Sequence, residues 1–417
     1  MKRRFSMNNV RENYQLVILN TLYEKQCTSR TELSKLLSVS KPSIAYNLND
    51  LLQMGIVEEV GEGESPNGGR KPRLLKFNKN FGKIITIDLN FNDPIFAIGN
   101  LNGEIFNEFS VKLSENSTAQ MRLELIKNAV SLLLNSASTE EQNLIAIAFA
   151  APGVFPKTSE RSFVNPQFQE WFKLDIARLI SEEFHVNTIL KNDVNMAAFG
   201  EYNYRSDAGP ANILYVSCGM GIGSGLILNG KLYEGNFNSA GEIFNNISPS
   251  KLGTGLNLEN TINIDALVKK VSESSLAPEL EARGKTIDFN TIVEEYQSGS
   301  PVIREFIREI GVELGCVVAN TANLLSLDTV IIGGEYSVFN DTIIECIKEI
   351  TKSHCIFPPV VRPSELGRHA GIMGLFAVVR QQYFEAIVNK DLAEEAEKGM
   401  IEGAEDDSEE DCSEETE

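Results

Sequence analysis

Four glycines at alternate positions mark the stretch of this sequence best suited to hold a ligand. Two apolar runs, residues 213–216 and 226–228, flank glycines at positions 219, 221, 223 and 225, which predicts a strand, a glycine loop and a second strand. Glycine lets the backbone adopt positive φ and lets a ligand approach main-chain N–H groups without meeting a Cβ atom. A twisted hairpin whose glycines only relieve crowding fits equally well, so this loop alone does not identify a binding site.

The same pattern occurs earlier in the chain. Apolar runs at residues 84–89 and 95–99, followed by an Asn102-Gly103 turn and a third strand, match the order found at 213–233. In the later copy the turn is Asn229-Gly230, a dipeptide favoured in two-residue hairpins. Two such halves, each opening on a loop between its first two strands, are how the actin and hexokinase-like fold builds a cleft.

Six motifs carry a resemblance that runs from Lys83 to Tyr383. They are Ala151-Pro152-Gly153, the run 192–198, the glycine loop, Ser239-Ala240-Gly241-Glu242, the run 330–334 and the run 366–374. In this order they resemble the ROK family of repressors and sugar kinases. The resemblance implies an α/β, two-lobed actin/hexokinase-like ATPase (ROK) fold.

The sugar side of this family's site is well matched. Asp193 stands where the family has its catalytic base, and Asn192, Glu242 and Glu259 stand where side chains hydrogen-bond the sugar. Asn165 resembles the family's sugar-loop asparagine, at altered spacing. Carboxylates and amides suit a polyol because they form paired hydrogen bonds. The alternative is that Asn192-Asp193 only caps the helix that follows.

The phosphate side departs from the family. Its kinases open the first half with an Asp-x-Gly-Gly-Thr type loop, but residues Asp88 to Asp93 read Asp-Leu-Asn-Phe-Asn-Asp and lack both glycines and the hydroxyl. The second half has Gly219-Met220-Gly221 where the family has Gly-Thr-Gly. Phosphoryl transfer depends on positioning and charge neutralisation. We therefore expect no catalysis and no cofactor, with Asp193 a vestigial base.

The family's structural zinc site is also expected to be missing. Its one histidine and three cysteines would bind the metal in a closed tetrahedral set. Aligned on these motifs, the four ligand positions hold Asn245, Ser250, Leu252 and Asn257.

Three helical patterns lie ahead of the first lobe. Ser29 and Glu32 form a capping-box sequence, and Ser40 before Pro42 is typical of an N-cap. The positions predicted to face inward are Leu16, Leu19 and Tyr23, then Leu33, Leu36 and Leu37, then Ile44, Leu48, Leu51 and Leu52. This spacing predicts a helix-turn-helix. Its third helix is expected to turn polar residues toward DNA bases, namely Lys41, Ser43, Tyr46 and Asn47.

A wing is predicted after the third helix. Residues 56–60 and 70–77 read as two strands joined by a glycine-rich tip, and the basic run Gly68 to Pro72 resembles the wing of ROK-family repressors. Arg70 and Lys71 suit a narrow, negative minor groove. A winged helix used for protein contact is the alternative.

Charge supports this division of the chain. The net charge is -20, yet residues 1–80 carry thirteen Lys and Arg against eight Asp and Glu. A basic module on an acidic chain suggests nucleic-acid binding. The predicted domains are a winged helix-turn-helix at 1–80, a ROK domain at 81–385 with lobes at about 81–205 and 206–365 and a closing helix at about 366–388, and an acidic disordered tail at 389–417.

Together these patterns predict a cytoplasmic transcriptional regulator that senses a monosaccharide or sugar derivative. The six cysteines form no C-x-x-C pair, and we expect no membrane segment. The expected partners are operator DNA and a second copy, in a homodimer or dimer of dimers. The alternatives are an active ATP-dependent sugar kinase with a DNA-binding arm, and a regulator controlled by a protein partner.

Overall fold

A computed structural model describes residues 7–63, 71–89, 93–114, 117–136, 144–155, 173–205, 211–246 and 257–388. Within these ranges, no helix is long and apolar enough to cross a bilayer.

The N-terminal unit is a three-helix domain with a small antiparallel sheet. Its elements are α1 (Met7–Lys25), β1 (Thr28–Ser29), α2 (Arg30–Leu36), α3 (Lys41–Gln53), β2 (Val57–Glu62) and β3 (Arg73–Phe77), and the sheet order is β1-β3-β2. The predicted capping box is present: Ser29 Oγ accepts from the Glu32 N–H at 3.2 Å, and the Glu32 carboxylate accepts from the Ser29 N–H at 3.1 Å. Ser40 caps α3 as predicted.

One predicted inward position in this unit is wrong. Leu36 is 53% exposed, whereas Leu33 is fully buried. The helix α2 has only seven residues, so its apolar face holds Leu33 and, one turn later, Leu37. Leu36 lies outside this narrow face.

The first lobe is a five-stranded mixed sheet with helices on both faces. Its elements are β4 (Lys83–Asp88), β5 (Ile95–Asn100), β6 (Ile105–Ser110), α4 (Ala119–Ser136), β7 (Leu144–Ala151), α5 (Ile176–Phe184), β8 (Asn187–Asn192) and α6 (Asp193–Asn203). The sheet order is β6-β5-β4-β7-β8, in which β4 runs antiparallel to β5 and parallel to β7. Alternate strand side chains pack on α4 and α5 on one face and on α6 on the other.

The second lobe repeats this sheet strand for strand. Its elements are β9 (Ile213–Cys218), β10 (Ile222–Leu228), β11 (Lys231–Leu232), α7 (Glu259–Ile262), α8 (Ile264–Ser272), α9 (Ala277–Ala282), α10 (Phe289–Gln297), α11 (Pro301–Leu325), β12 (Thr329–Gly333), α12 (Asn340–His354) and β13 (Val360–Pro363). The order β11-β10-β9-β12-β13 matches that of the first lobe, so the repeat predicted from the sequence is present.

The two hairpins of the repeat turn differently. Asn229 and Gly230 both have positive φ, 52° and 75°, as a type I′ turn requires. In the first lobe Gly103 has a φ of 79°, and the Gly103 N–H donates to the Asn100 carbonyl at 3.0 Å. The register there shifts between Ile98 and Gly99, so this turn ends in a bulge.

The chain returns to the first lobe in its last described helix. The closing helix predicted from about residue 366 begins at Ala370, after a short 3₁₀ turn, and forms α13 (Ala370–Val388). It packs against α6 at two glycines. A Cβ added at Gly374 would overlap the Met196 carbonyl, and one added at Gly200 would overlap the Ala370 carbonyl. The two helices therefore meet backbone to backbone.

Candidate functional site

The N-terminus of α6 lies between the lobes. Asn192 is its N-cap: the side-chain oxygen accepts from the Asn195 N–H at 2.8 Å, and the side-chain NH₂ group donates to the Gly153 carbonyl at 2.9 Å. The capping alternative is thus present, and Asn192 also ties the end of β7 to α6. Each end of this amide already has a protein partner.

Asp193 is the first residue of α6 and is only partly exposed. One carboxylate oxygen accepts from the Val194 N–H at 2.8 Å. Burial raises the pKa of Asp193 to about 6, with a smaller contribution from the charge of Glu335, against lowering by backbone hydrogen bonds. A carboxyl group that titrates near neutrality can accept or donate a hydrogen bond to a sugar hydroxyl.

The second lobe contributes two more carboxyl groups. Burial, together with the charges of Asp193 and Glu259, raises the pKa of Glu242 to about 7. Glu259 begins α7, accepts from the Ile222 N–H at 3.4 Å and has its pKa raised by burial. The contacts place all three carboxyl groups beside β10. Val194, next to Asp193, packs on Gly223, and Gly241, next to Glu242, accepts from the Ser224 hydroxyl at 2.6 Å. Nearby, Asn238 of the second lobe donates to the Phe155 carbonyl of the first at 2.7 Å.

The four alternate glycines fall into two pairs with different roles. A Cβ on Gly223 would lie 2.8 Å from a methyl of Val194, and one on Gly225 would lie 2.6 Å from the Cβ of Ala198. These two glycines let α6 pack onto β10, as the crowding alternative predicts. Gly219 and Gly221 instead lie against carboxylates, those of Glu335 and Glu259.

The first-lobe phosphate loop is described only at its ends. Asp88 is the last residue of β4. Its carboxylate lies against Gly371, where an added Cβ would be 2.5 Å from a carboxylate oxygen. Leu89 is buried. Residues 90–92, which include Phe91, lie outside the described residues, as does Asn165.

Two of the four predicted zinc positions are described, and both carry asparagine. The Asn257 amide donates to the Asn245 side-chain oxygen at 3.4 Å, so these two positions bond to each other. Ser250 and Leu252 lie outside the described residues. Over the described ranges, no group of three His, Cys, Asp or Glu side chains could hold a metal ion.

One residue predicted to face DNA is not on the surface. Lys41 is exposed, Tyr46 is 61% exposed and Ser43 is partly buried. The prediction that Asn47 faces outward is wrong, because Asn47 is only 3% exposed and its NH₂ group donates to the Ser43 carbonyl at 2.8 Å. Its backbone carbonyl accepts from Gln15 of α1 at 3.3 Å, so Asn47 packs inside the domain.

Both strands of the wing are described, whereas residues 64–70 between them lie outside the described residues. Lys71 is exposed beside β3, whereas Arg70 lies outside the described residues. Arg73 pairs with Glu59 across the two wing strands, and this carboxylate also pairs with Arg30 at 2.7 Å.

Two further residues of interest were missed in the sequence. Glu335 follows the Gly333-Gly334 motif. It contacts Gly219 of the glycine loop only in the folded chain, because the two residues are far apart in sequence. Arg380 is the first charged residue after the apolar run 370–379, and this position could have singled it out. It is 6% exposed and lies between the ROK domain and the N-terminal unit.

Comparison with known proteins agrees with this architecture. Residues 84–382 match the profile of the ROK family, and residues 11–58 match that of a winged helix-turn-helix DNA-binding domain. A putative xylose repressor from Caldicellulosiruptor is 28% identical over 384 residues, covering 89% of this chain and 96% of the relative. The N-acetylglucosamine repressor of Escherichia coli is 24% identical over 380 residues, covering 88% and 92%.

Two solved structures share the fold. A ROK family transcriptional regulator, homologous to the Escherichia coli MLC protein, aligns with a TM-score of 0.72 at 18% identity and covers 91% of this chain and 99% of its own. A ROK family glucokinase from Streptomyces griseus, solved with glucose and AMPPNP, aligns with a TM-score of 0.59 at 22% identity and covers 72% and 100%. The family profile spans most of the chain, and the protein therefore belongs to the ROK family.

Proposed function

We propose that this protein is a sugar-responsive, DNA-binding transcriptional regulator that represses carbohydrate-metabolism genes. The winged helix-turn-helix would bind operator DNA, and the interlobe cleft would bind a monosaccharide or sugar derivative. The repressor names of the relatives support this role. We further propose that it acts as a homodimer, because one recognition helix reads only a short half-site.

The observation that carries this proposal is a continuous packed path from the cleft to the DNA-binding unit. Asp193 begins α6, and the other end of this helix contacts Arg380 of α13. The Arg380 guanidinium donates to Asn203 at 3.3 Å and to the Tyr204 hydroxyl at 3.5 Å. The same guanidinium lies 3.8 Å over the ring of Tyr23 in α1.

Further contacts connect the two helices of this path, α6 and α13. Besides the glycine contacts described above, the buried Glu201 of α6 accepts from the Ser364 hydroxyl at 2.5 Å and from the Leu366 N–H at 2.9 Å, just ahead of α13. Its carboxylate also pairs with Arg362 at 3.5 Å. A shift of α6 on ligand binding would therefore carry α13, and with it α1.

The energetics of such a switch are modest. A ligand shifts a conformational equilibrium only by its difference in affinity for the two states. A sugar bonded to Asp193 in one lobe and to Glu242 and Glu259 in the other would favour the closed state. A coupling of about 1–3 kcal/mol changes operator affinity by roughly 5–150-fold, which is enough for regulation without chemistry.

We propose that the cleft does not transfer phosphate. The altered loops at Asp88 to Asp93 and at Gly219 to Gly221 support this view. The second candidate is an active sugar kinase, and one observation favours it: the pKa of Asp193, about 6, suits a general base.

Two assays test the proposal. Fluorescence anisotropy with DNA fragments from the gene's own flanks should show binding that a monosaccharide from a panel of hexoses, pentoses and amino sugars changes at least fivefold. Sugar-dependent ADP release from MgATP should stay at background. ADP release that Asp193→Asn abolishes would favour the kinase. DNA binding that no sugar alters would favour control by a protein partner.

A further inference from the structure

Two main-chain donors of the glycine loop, the N–H groups of Gly219 and Ile222, are already used within the protein. A glycine loop binds phosphate when its N–H groups point at the ligand. Here the Gly219 N–H donates to the Gly221 carbonyl at 3.0 Å, and the Ile222 N–H donates to the carboxylate of Glu259 at 3.4 Å. An anion that approaches this part of the loop would therefore meet a carboxylate, whereas a phosphate site has free N–H groups there.

A second carboxylate lies on the other side of the same loop. A Cβ built on Gly219 would stand 2.6 Å from the carboxyl carbon of Glu335 and would overlap one of its oxygens. The absence of a Cβ at Gly219 thus leaves room for the side chain of Glu335 beside the loop.

The position of Glu335 is fixed by its neighbours in the chain. Gly334 has a φ of 83°, and a Cβ there would overlap the backbone of Cys218. Tyr336 is fully buried and donates its hydroxyl to the Ile262 carbonyl at 2.8 Å, while Phe339 is also fully buried. These contacts hold the backbone of Glu335 against the loop.

The charge of Glu335 reaches the rest of the cleft. It contributes, after burial, to the raised pKa of Asp193 and to that of the Cys218 thiol, which is about 12. With Glu242 and Glu259, the cleft and its glycine loop carry four carboxyl groups. Such a site repels a phosphate dianion, whereas sugar hydroxyls can donate to these oxygens.

We infer that the cleft binds a sugar without a phosphate group, that it rejects sugar phosphates and nucleotides, and that Glu335 sets this preference. The inference rests on the proposed sensor function and names its ligand class. A nucleotide does not fit the described loop, since its phosphates would meet Glu335 and Glu259.

The test measures binding of matched ligand pairs by isothermal titration calorimetry. The probes are D-glucose with D-glucose 6-phosphate, D-xylose with D-xylose 5-phosphate, and, separately, inorganic phosphate and ATP. The variants of the full chain are Glu335→Gln, which removes only the charge, and Glu345→Gln, an exposed glutamate on α12, as the control. We expect the wild type to prefer the free sugar. Glu335→Gln should lower the ratio of the ester's Kd to the free sugar's Kd by about tenfold, and Glu345→Gln should leave this ratio unchanged.

The outcomes separate this inference from the proposed function. A wild type that binds an ester more tightly than its free sugar would overturn the inference while sparing the sensor function. A free-sugar preference that Glu335→Gln does not reduce would overturn the role of Glu335. If the wild type binds neither D-glucose nor D-xylose, the sugar panel of the DNA-binding assay decides the sensor function separately. In that case the phosphate and ATP titrations still decide whether Glu335 excludes anions, since the variant must bind them more tightly than the wild type.

Discussion

The guanidinium of Arg380 stacks on the ring of Tyr23, with the guanidinium carbon 3.8 Å from the ring centroid. One residue belongs to the last helix of the ROK domain and the other to the first described helix of the DNA-binding unit. Farther along the same helix, Phe384 packs edge-on against Phe77 of the wing sheet at 5.2 Å. The ROK domain thus supplies part of the apolar core of the DNA-binding unit.

Arg380→Met should uncouple the two domains. Methionine keeps much of the buried volume but loses the cation–π contact and the hydrogen bonds to Asn203 and Tyr204. We expect the coupling free energy between sugar and operator binding to fall to less than half of its wild-type value. The matched control is Gln382→Met, an exposed position on the same helix, which should respond like the wild type. An undiminished response in Arg380→Met would rule out this route.

Gly374→Ala should destabilise the ROK domain strongly. The new Cβ would overlap the Met196 carbonyl, which is backbone and cannot move without displacing α6. We expect a loss of about 1–3 kcal/mol, as for other overpacked sites, and therefore a lower midpoint in urea unfolding. An unchanged midpoint would mean that α6 and α13 are not in backbone contact.

The stability of the protein should fall as the pH rises from about 4 to 7, because of its cleft carboxyls. The folded-state pKa of Asp193 is about 6 against a usual 3.8, and that of Glu242 is about 7 against 4.5. The unfolded chain therefore loses these protons first, which lowers the free energy of unfolding across this window. Asp193→Asn should flatten the slope and stabilise the protein at pH 8 by about 1–3 kcal/mol. Urea unfolding at pH 5 and pH 8 measures both effects, and an Asp193→Asn variant less stable than wild type at pH 8 would contradict the account.

Tyr46 and Asn47 should behave differently although they are adjacent. Tyr46→Ala, at an exposed position on α3, should weaken operator binding by about 1–3 kcal/mol at particular bases. Asn47→Ala should instead lower stability by about 1 kcal/mol and leave base preference intact, because the side chain is buried. Operator variants scanned by anisotropy, together with thermal melts, distinguish the two. A change in base preference for Asn47→Ala would restore it as a reading residue.

Lys71→Ala should weaken binding to all DNA sequences alike. An exposed lysine that neutralises a phosphate releases about one counterion. The slope of log affinity against log salt concentration should therefore decrease by about one. A slope identical to that of the wild type would place Lys71 away from DNA.

Local signals in the sequence predicted much of this fold. The capping box at Ser29, the N-cap at Ser40 and the Asn229-Gly230 turn each depend on residues within one turn of the chain, so short patterns suffice. The strand repeat could also be predicted because both copies are apolar runs bounded by glycine or asparagine. Asn47 could have been placed correctly as well, since it follows Ile44 by three residues and precedes Leu51 by four on the inward stripe.

Other features depend on contacts between distant segments. Glu335 and Gly219 are more than a hundred residues apart in sequence and meet only when β12 pairs with β9. The division of the glycines into two pairs likewise depends on where α6 packs. No local pattern predicts which glycine faces a helix and which faces a carboxylate, because both need only the absence of a Cβ.

The central claim is that sugar in the cleft and operator on the winged helix are energetically linked. Linkage requires that each ligand change the affinity of the other by the same factor. The most direct test titrates the inducing sugar into the full chain with and without operator DNA, in the wild type and in Asp193→Ala. We predict wild-type sugar affinities that differ by roughly 5–150-fold, matching the effect of sugar on operator affinity, and a weakened response in Asp193→Ala. Equal sugar affinities with and without DNA, or a full response in Asp193→Ala, would contradict this prediction.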